Sequence, residues 1–461
     1  MPQGRQGRNS SPIWSLKSEA MAKIWGGGAS EDAGRDLSDI MTLEDTKVDS
    51  MLLDYEIVSL LAYQLQLKKE SIISPDDSSA IISGLMALLG SKVDIDPALE
   101  DVHGFVEESI KKRCGDAYKN LRMFLSRNEQ SHVNIRSFHI DSLLNISRHL
   151  ISISEILMTR KSEFSGIMSG RTHNRQAMPI MISTYLDYLS RIFLDMSIDA
   201  LNLSEKFTAF SPLGYGSGFG SLSPIDFKAV AKSLGFRTIA QNPMAGSFYR
   251  GVDDMDMSAF LLKMMLFLSK ISQDFMGFSE GKEAFMILPD GYTTGSSLLP
   301  NKRNPDFLEM VQGYASGAVG LLVSTATTLM NKSSGYHREF QLSKDKTIES
   351  VVLCEKILIH FQYFMVEFRL DEKKAMDSME NSVNATGEAY SIFQTGVSWK
   401  DSYAKVGEKI RKNIPLDFHK PPEFSSVGME EIAVEKERRQ ILFDSWNEPR
   451  EKVLIQARYT I

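Results

Sequence analysis

The chain has 461 residues, 43% apolar and 24% charged, a composition that excludes intrinsic disorder and, at roughly 150 residues per domain, predicts about three domains. Its 59 acidic and 52 basic residues leave a net charge of −7, so there is no overall electrostatic case for a nucleic-acid partner. The two cysteines, Cys114 and Cys354, exclude a disulfide framework and a cysteine-ligated zinc site, and they fit a reducing, cytoplasmic setting.

The first twenty residues, MPQGRQGRNSSPIWSLKSEA, lack the apolar run of a secretory signal and are expected to be disordered, with a faint likeness to an organelle transit peptide. No proline lies between Pro97 and Pro179, Pro179 and Pro212, Pro243 and Pro289, or Pro305 and Pro415. Proline inside a helix costs about 3 kcal/mol, so these are the spans in which long helices fit. After Pro179, Ile182, Tyr185, Leu186, Leu189, Ile192, Phe193 and Met196 recur at three- and four-residue spacing and form one apolar face, with Asp187, Arg191 and Asp195 on another. The stretches Ser258 to Phe278 and Val351 to Phe368 are apolar nearly all round, which predicts helices buried on most sides. Met310 to Asn331 is 22 residues without a charge, long enough to cross a bilayer at about 1.5 Å per residue. Its amides and hydroxyls, together with the small residues Gly313, Ala315, Gly317, Ala318 and Gly320, predict instead a closely packed, buried bundle helix. Loops are expected where glycine and proline cluster, at Gly26 to Gly28, Ser211 to Pro224, Gln241 to Gly251 and Pro289 to Pro305. The expected fold is all-α, in three helical domains over 1–124, 125–373 and 374–461.

Several chemistries drop out, because the chain has no GxxxxGK[ST], HExxH, CxxC or GxSxG motif. The run SPLGYGSGFGS from Ser211 follows a helical pattern rather than a strand, so it reads as a tight turn between helices. The informative segment is GYTTGSSLLPNKRNPD, from Gly291 to Asp306. It sets paired serines, Lys302 and Asn304 just before a long helix, where unpaired N–H groups and the helix dipole favour an anion.

That segment carries a resemblance. GSSLLPNKRNP is similar to the GSSxMPxKxNP motif of the fumarase/aspartase superfamily, with Leu299 in place of methionine. Within the superfamily, SRNEQ at Ser126 to Gln130 resembles the SRNDQ of argininosuccinate lyases. GRTHNRQAMP at Gly170 to Pro179 resembles their GYTHLQxAxP, and SGYHREFQLSK at Ser334 to Lys344 their YNxDxQxxK. Weaker echoes are IWGG at Ile24 to Gly27, DVH at Asp101 to His103 and GVSWKDSYAKVG at Gly396 to Gly407. The resemblance implies a helical homotetramer with a twenty-helix core, active sites each built by three subunits, a role in arginine biosynthesis, and no metal or organic cofactor. The implied reaction is anti elimination of argininosuccinate to arginine and fumarate.

Residue by residue, the resemblance makes Ser296 the base, with Lys302 supporting its alkoxide and the anionic intermediate, and Asn304 binding a carboxylate. Thr172 and His173 fall on the leaving-group side, and Glu309 matches the carboxylate that orients the histidine. Arg127, Asn128, Tyr336, Gln341 and Lys344 match substrate-gripping positions, and Ser50 and Asp54 have the spacing of a further contact pair. The pattern departs from the family in three places. RMFLSRN from Arg122 stands for HTGRSRN, with Glu129 for aspartate; QNPMAGSFYRG from Gln241 keeps Asn242 and Arg250 of ANSMDATSERD but loses its acids; and His337 replaces asparagine. Two other readings stand beside the first: a paralogue that releases fumarate from another N-substituted aspartate, and a non-enzymatic structural relative.

Overall fold

The computed structural model describes residues 45–282 and 284–461. The expectations for the first twenty residues, for IWGG and for the turn at 26–28 lie outside them.

Proline-free spans become long helices. Ahead of the bundle stand α1 (Leu53–Lys69), α2 (Pro75–Met86) and α3 (Val102–Cys114). The bundle itself comprises α4 (Arg127–Lys161), α5 (Ile182–Thr208), α6 (Val252–Phe278), α7 (Asp306–Leu329) and α8 (Gln341–Glu367). Among the described residues the strands form three two-stranded antiparallel ladders. β1 (Ile167–Thr172) pairs with β2 (Arg175–Met181), β3 (Met286–Ile287) with β6 (Arg369–Leu370), and β4 (Thr294–Gly295) with β5 (Arg303–Asn304). The β1–β2 hairpin is a departure from the helical expectation for the middle of the chain. It occupies the loop ahead of α5, so the fold remains all-α in class.

Specific contacts set the direction of each bundle helix. Tyr185 near the start of α5 donates to Asp274 near the end of α6 at 3.2 Å, and Gln312 near the start of α7 donates to Gln273 at 3.0 Å. Arg160 at the end of α4 donates to the Met365 carbonyl near the end of α8 at 2.9 Å. At the opposite end, Asp254 of α6 meets both His139 of α4 at 3.0 Å and the Ser343 hydroxyl of α8 at 2.8 Å. So α4, α6 and α8 run one way and α5 and α7 the other. The core between them is apolar: Leu261, Met264, Leu268, Ile271 and Phe275 of α6 are fully buried, as are Ile348, Val351, Leu358, Phe361 and Phe364 of α8. Each such side chain stabilises the fold by about 1.5–3 kcal/mol.

The uncharged segment from Met310 folds into α7, but only one face of it is covered. Leu308, Val311, Ala315, Ala318, Leu321 and Thr325 are buried, whereas Met310, Tyr314, Val319 and Val323 are exposed. An added Cβ at Gly313, Gly317 or Gly320 meets nothing within 4 Å. The expectation of a buried bundle helix therefore holds within one chain for one face of it. Among the described residues no helix is long and apolar enough to cross a membrane.

Beyond α8, α9 (Ala385–Gln394) and α10 (Trp399–Arg411) enclose a small core of Ala389, Val406 and Leu416. The last helix, α11 (Met429–Thr460), returns to the main body. Its Trp446 is buried, stacks edge-on against Phe236 and donates to Asp141 at 2.6 Å.

A buried ionic cluster at the start of α4 sets an acid limit on stability. His132 bridges the Tyr215 hydroxyl at 3.0 Å and Asp253 at 2.9 Å, and Arg136 donates to the same carboxylate at 2.7 Å. Burial pushes the His132 imidazole from 6.5 down to about 4, while Asp253, also buried, is held below the usual carboxylate range by Arg136 and His132. Both groups therefore bind fewer protons folded than unfolded. The stability tied to His132 is complete above pH 6.5 and is lost as pH falls toward 4, by about 3 kcal/mol in all; the contribution of Asp253 is lost at lower pH still. Urea unfolding between pH 7 and pH 4 is expected to show this slope, and a His132→Gln variant to flatten it. An equally steep slope in the variant assigns the acid limit elsewhere.

Candidate active site

At the end of the bundle where α4 starts, a cavity of about 130 Å³ is lined by residues from four parts of the chain. Arg127 and Asn128 come from the first turn of α4, Tyr336 from the connection between α7 and α8, and Gln341 and Lys344 from the first turn of α8. These are the five residues the sequence singled out for gripping the substrate, and they converge from positions more than 200 residues apart. The first turn of α4 is shaped by a capping box: the Ser126 hydroxyl accepts from Asn128 N, and Glu129 Oε1 accepts from Ser126 N at 2.9 Å.

Glu129 is where this chain departs from the SRNDQ pattern, and its longer side chain reaches further. Its second oxygen accepts from Gly214 N at 2.7 Å and Gly216 N at 2.8 Å. The carboxylate is wholly buried and ties the glycine-rich turn to the segment carrying Arg127 and Asn128. Gly214, Gly216, Gly218 and Gly220 all have positive φ, so this turn needs glycine for its backbone, as expected of a tight connection.

Other residues of the cavity had no role assigned from the sequence. Asp49 pairs with Lys344 Nζ at 2.5 Å and accepts from Val102 N at 3.1 Å. Asp101 accepts from Arg127 at 3.0 Å. His103 Nδ1 lies 2.9 Å from Glu56 Oε1, with both side chains buried. Burial opposes charge on His103, but Glu56 and Asp101 outweigh it and hold the imidazole above its usual pKa. The DVH echo marked Asp101 and His103; nothing local marked Asp49. Ser50 and Asp54 do not line the cavity. The Ser50 hydroxyl donates to the Lys47 carbonyl, and Asp54 accepts from Gly90 N at 2.8 Å; from this stretch of the chain it is Asp49 whose carboxylate lines the cavity.

The remaining candidates sit at the opposite end of the bundle. Ser296, Lys302 and Asn304 occupy a loop closed by the β4–β5 ladder, in which Gly295 pairs with Arg303 and Thr294 with Asn304. The Ser296 hydroxyl oxygen accepts from Leu298 N at 3.3 Å and Leu299 N at 3.0 Å. Lys302 N donates back to the Leu299 carbonyl at 3.0 Å, which tightens the loop. Two N–H groups aimed at one hydroxyl oxygen stabilise negative charge there, as a serine acting as a base requires. Thr172 and His173 stand at the tip of the β1–β2 hairpin, where His173 and Asn174 have φ of 52° and 58°, the pattern of a two-residue turn. Glu309 lies exposed in the first turn of α7; no hydrogen bond joins it to His173 among the described residues.

Each bundle helix from α5 to α8 has 24 to 27 residues, or about 36–40 Å at 1.5 Å per residue. One chain thus carries the group of Arg127, Asn128 and Lys344 at one end and the Ser296 and His173 groups at the other.

A family model described as a lyase matches residues 37–320. The chain is 29% identical to an argininosuccinate lyase of Thermotoga neapolitana over 392 residues, 84% of this chain and 98% of that protein. An argininosuccinate lyase of Heliobacterium mobile is 27% identical over 86% of this chain and 88% of its own length. Among solved structures, EDDS lyase in complex with formate superposes with a TM-score of 0.70 at 17% identity, covering 92% of this chain and 93% of that one. Class II fumarase from Schistosoma mansoni superposes with a TM-score of 0.68 at 16% identity, covering 89% and 91%. Both structural likenesses bear on the fold.

Proposed function

This chain belongs to the lyase family, and on that premise we propose that it cleaves argininosuccinate to arginine and fumarate, as a cytoplasmic enzyme of arginine biosynthesis. The observation that carries the elimination chemistry is the Ser296 hydroxyl held by two backbone N–H groups in a loop that also bears Lys302 and Asn304. The relatives' activity supports the choice of substrate. Ser296 Oγ takes the proton from the carbon next to one carboxylate, and the carbon–nitrogen bond then breaks with its electron pair leaving on nitrogen. That nitrogen is protonated from the Thr172 and His173 side. The first step concentrates charge on an aci-carboxylate, which Lys302 and Asn304 stabilise as it forms. Release of fumarate from argininosuccinate, followed by its ultraviolet absorbance, tests the reading. A folded protein that turns over no argininosuccinate overturns it.

The helix length separating the two groups supports a homotetramer whose active sites draw on three subunits. The uncovered apolar and glycine face of α7 supports the same assembly, since close packing of small residues suits a shared helical core. Gly317→Trp fits the single chain, where an added Cβ has open space, and is expected to convert a tetramer in sedimentation velocity into smaller, inactive species. A Gly317→Trp protein that remains tetrameric and active removes this face of α7 from the interface.

A second reading is favoured by Phe124, which stands where the HTGRSRN pattern has glycine. It adopts a φ of 65° with its ring half exposed, a conformation costly for a bulky residue. A bulky ring two residues before Ser126 suits a different leaving amine on the same N-substituted aspartate skeleton. Fumarate release from another such aspartate, with none from argininosuccinate, favours this reading.

A further inference from the structure

The sixth position of the GYTHLQxAxP element is glutamine in the related pattern and Arg175 here. The hairpin register pairs Arg171 with Gln176 and Thr172 with Arg175. Successive side chains in a strand point to opposite faces, so Arg171 and Gln176 share one face and Thr172 and Arg175 the other. The first face is anchored. Gln176 donates to the Ser378 carbonyl at 2.8 Å and accepts from Glu380 N at 2.9 Å, and the Arg171 guanidinium lies over the Phe278 ring at 5.5 Å. The second face is open. Thr172 and Arg175 are exposed, and the Arg175 side chain has neither a hydrogen-bond nor an ion-pair partner among the described residues. With the turn fixed by two residues of positive φ, this cross-strand pair holds its Cβ atoms roughly 4.5–5.5 Å apart. A guanidinium therefore stands beside Thr172 with no side-chain partner among the described residues.

The two carboxylates of the succinyl half of the substrate are not equivalent. One is attached to the carbon that loses a proton, on the Ser296 side; the other is attached to the carbon that bears the departing nitrogen. We propose that Arg175 is a substrate-binding residue that grips this second carboxylate, replacing a neutral amide by a planar cation able to pair with it through two hydrogen bonds. The assignment rests on the reading above that Thr172 lies on the leaving-group side. It also separates the two products. Fumarate keeps the carboxylate in question, and arginine does not.

Product inhibition of argininosuccinate cleavage tests this with Arg175→Gln, which restores the residue of the related pattern, and Arg175→Met. In Arg175→Met the inhibition constant for fumarate is expected to rise about 10- to 100-fold, with KM rising in parallel and a smaller change in Arg175→Gln. The constant for arginine is expected to stay within about twofold of wild type, the scatter of ordinary surface changes. An unchanged fumarate constant in both variants overturns the proposal, and a shift in the arginine constant alone places Arg175 against the leaving amine instead. If the wild type cleaves no argininosuccinate, the substrate reading fails independently, and calorimetric fumarate binding to wild type and Arg175→Met decides the role of Arg175.

Discussion

Ser296→Ala is expected to lower kcat by about 10³-fold or more, with fumarate affinity and assembly unchanged. The hydroxyl oxygen is the only atom lost. The loop itself is held by the β4–β5 ladder and by the Lys302 N to Leu299 carbonyl hydrogen bond, neither of which uses that atom. Its loss frees the N–H groups of Leu298 and Leu299, which lie at an exposed turn where water satisfies them. Steady-state turnover beside sedimentation and fumarate binding separates a chemical defect from a structural one. A variant retaining more than a tenth of wild-type kcat removes Ser296 as the base, whatever the substrate.

Lys344→Met is expected to act on both stability and substrate binding. Lys344 is about 2% exposed, with its ammonium 2.5 Å from Asp49 and 3.5 Å from Asp345. Methionine keeps the volume but leaves those carboxylates buried beside an apolar chain. Breaking one partner of a buried pair costs about 3–5 kcal/mol. Urea unfolding at fixed protomer concentration is the measurement, since assembly adds to apparent stability. The double variant Lys344→Met with Asp49→Asn is expected to recover part of the loss while remaining inactive, because the cavity then has no cation in that position. A Lys344→Met protein within about 1 kcal/mol of wild type shows that the pair contributes little to the fold.

The helical class and most bundle helices were legible because proline avoidance and apolar spacing are local signals, and α5 to α8 satisfy both over more than twenty residues each. The candidate site was legible where chemistry is written contiguously, as in GSSLLPNKRNP. Asp49 was not, because its partner lies 295 positions away and only the packing of α8 against the start of the described chain brings them together; the spacing that pointed to Ser50 and Asp54 has no such constraint behind it. The β1–β2 hairpin was hidden because its tip depends on left-handed conformations at His173 and Asn174, residues that do not announce a turn as glycine does. The role of Glu129 was also hidden: what looks like a conservative change of aspartate is a carboxylate that bridges two segments 85 residues apart. The half-exposed surface of α7 has a different origin. Composition reports that a helix avoids water, but not whether its own chain or another copy does the covering.

The bundle also behaves as a ruler. Because the two groups of candidate site residues are carried at its opposite ends, the number of residues in each helix fixes how far apart every chain presents them, at about 1.5 Å per residue and 5.4 Å per turn. Four of these helices, α5 to α8, are within three residues of one length, so a one-turn deletion in α7 alone would shift Glu309 and the Ser296 loop by a full turn relative to α6 and α8. Length variation is expected to be tolerated in connections outside the bundle, such as that between α9 and α10, while α5 to α8 change length together or not at all.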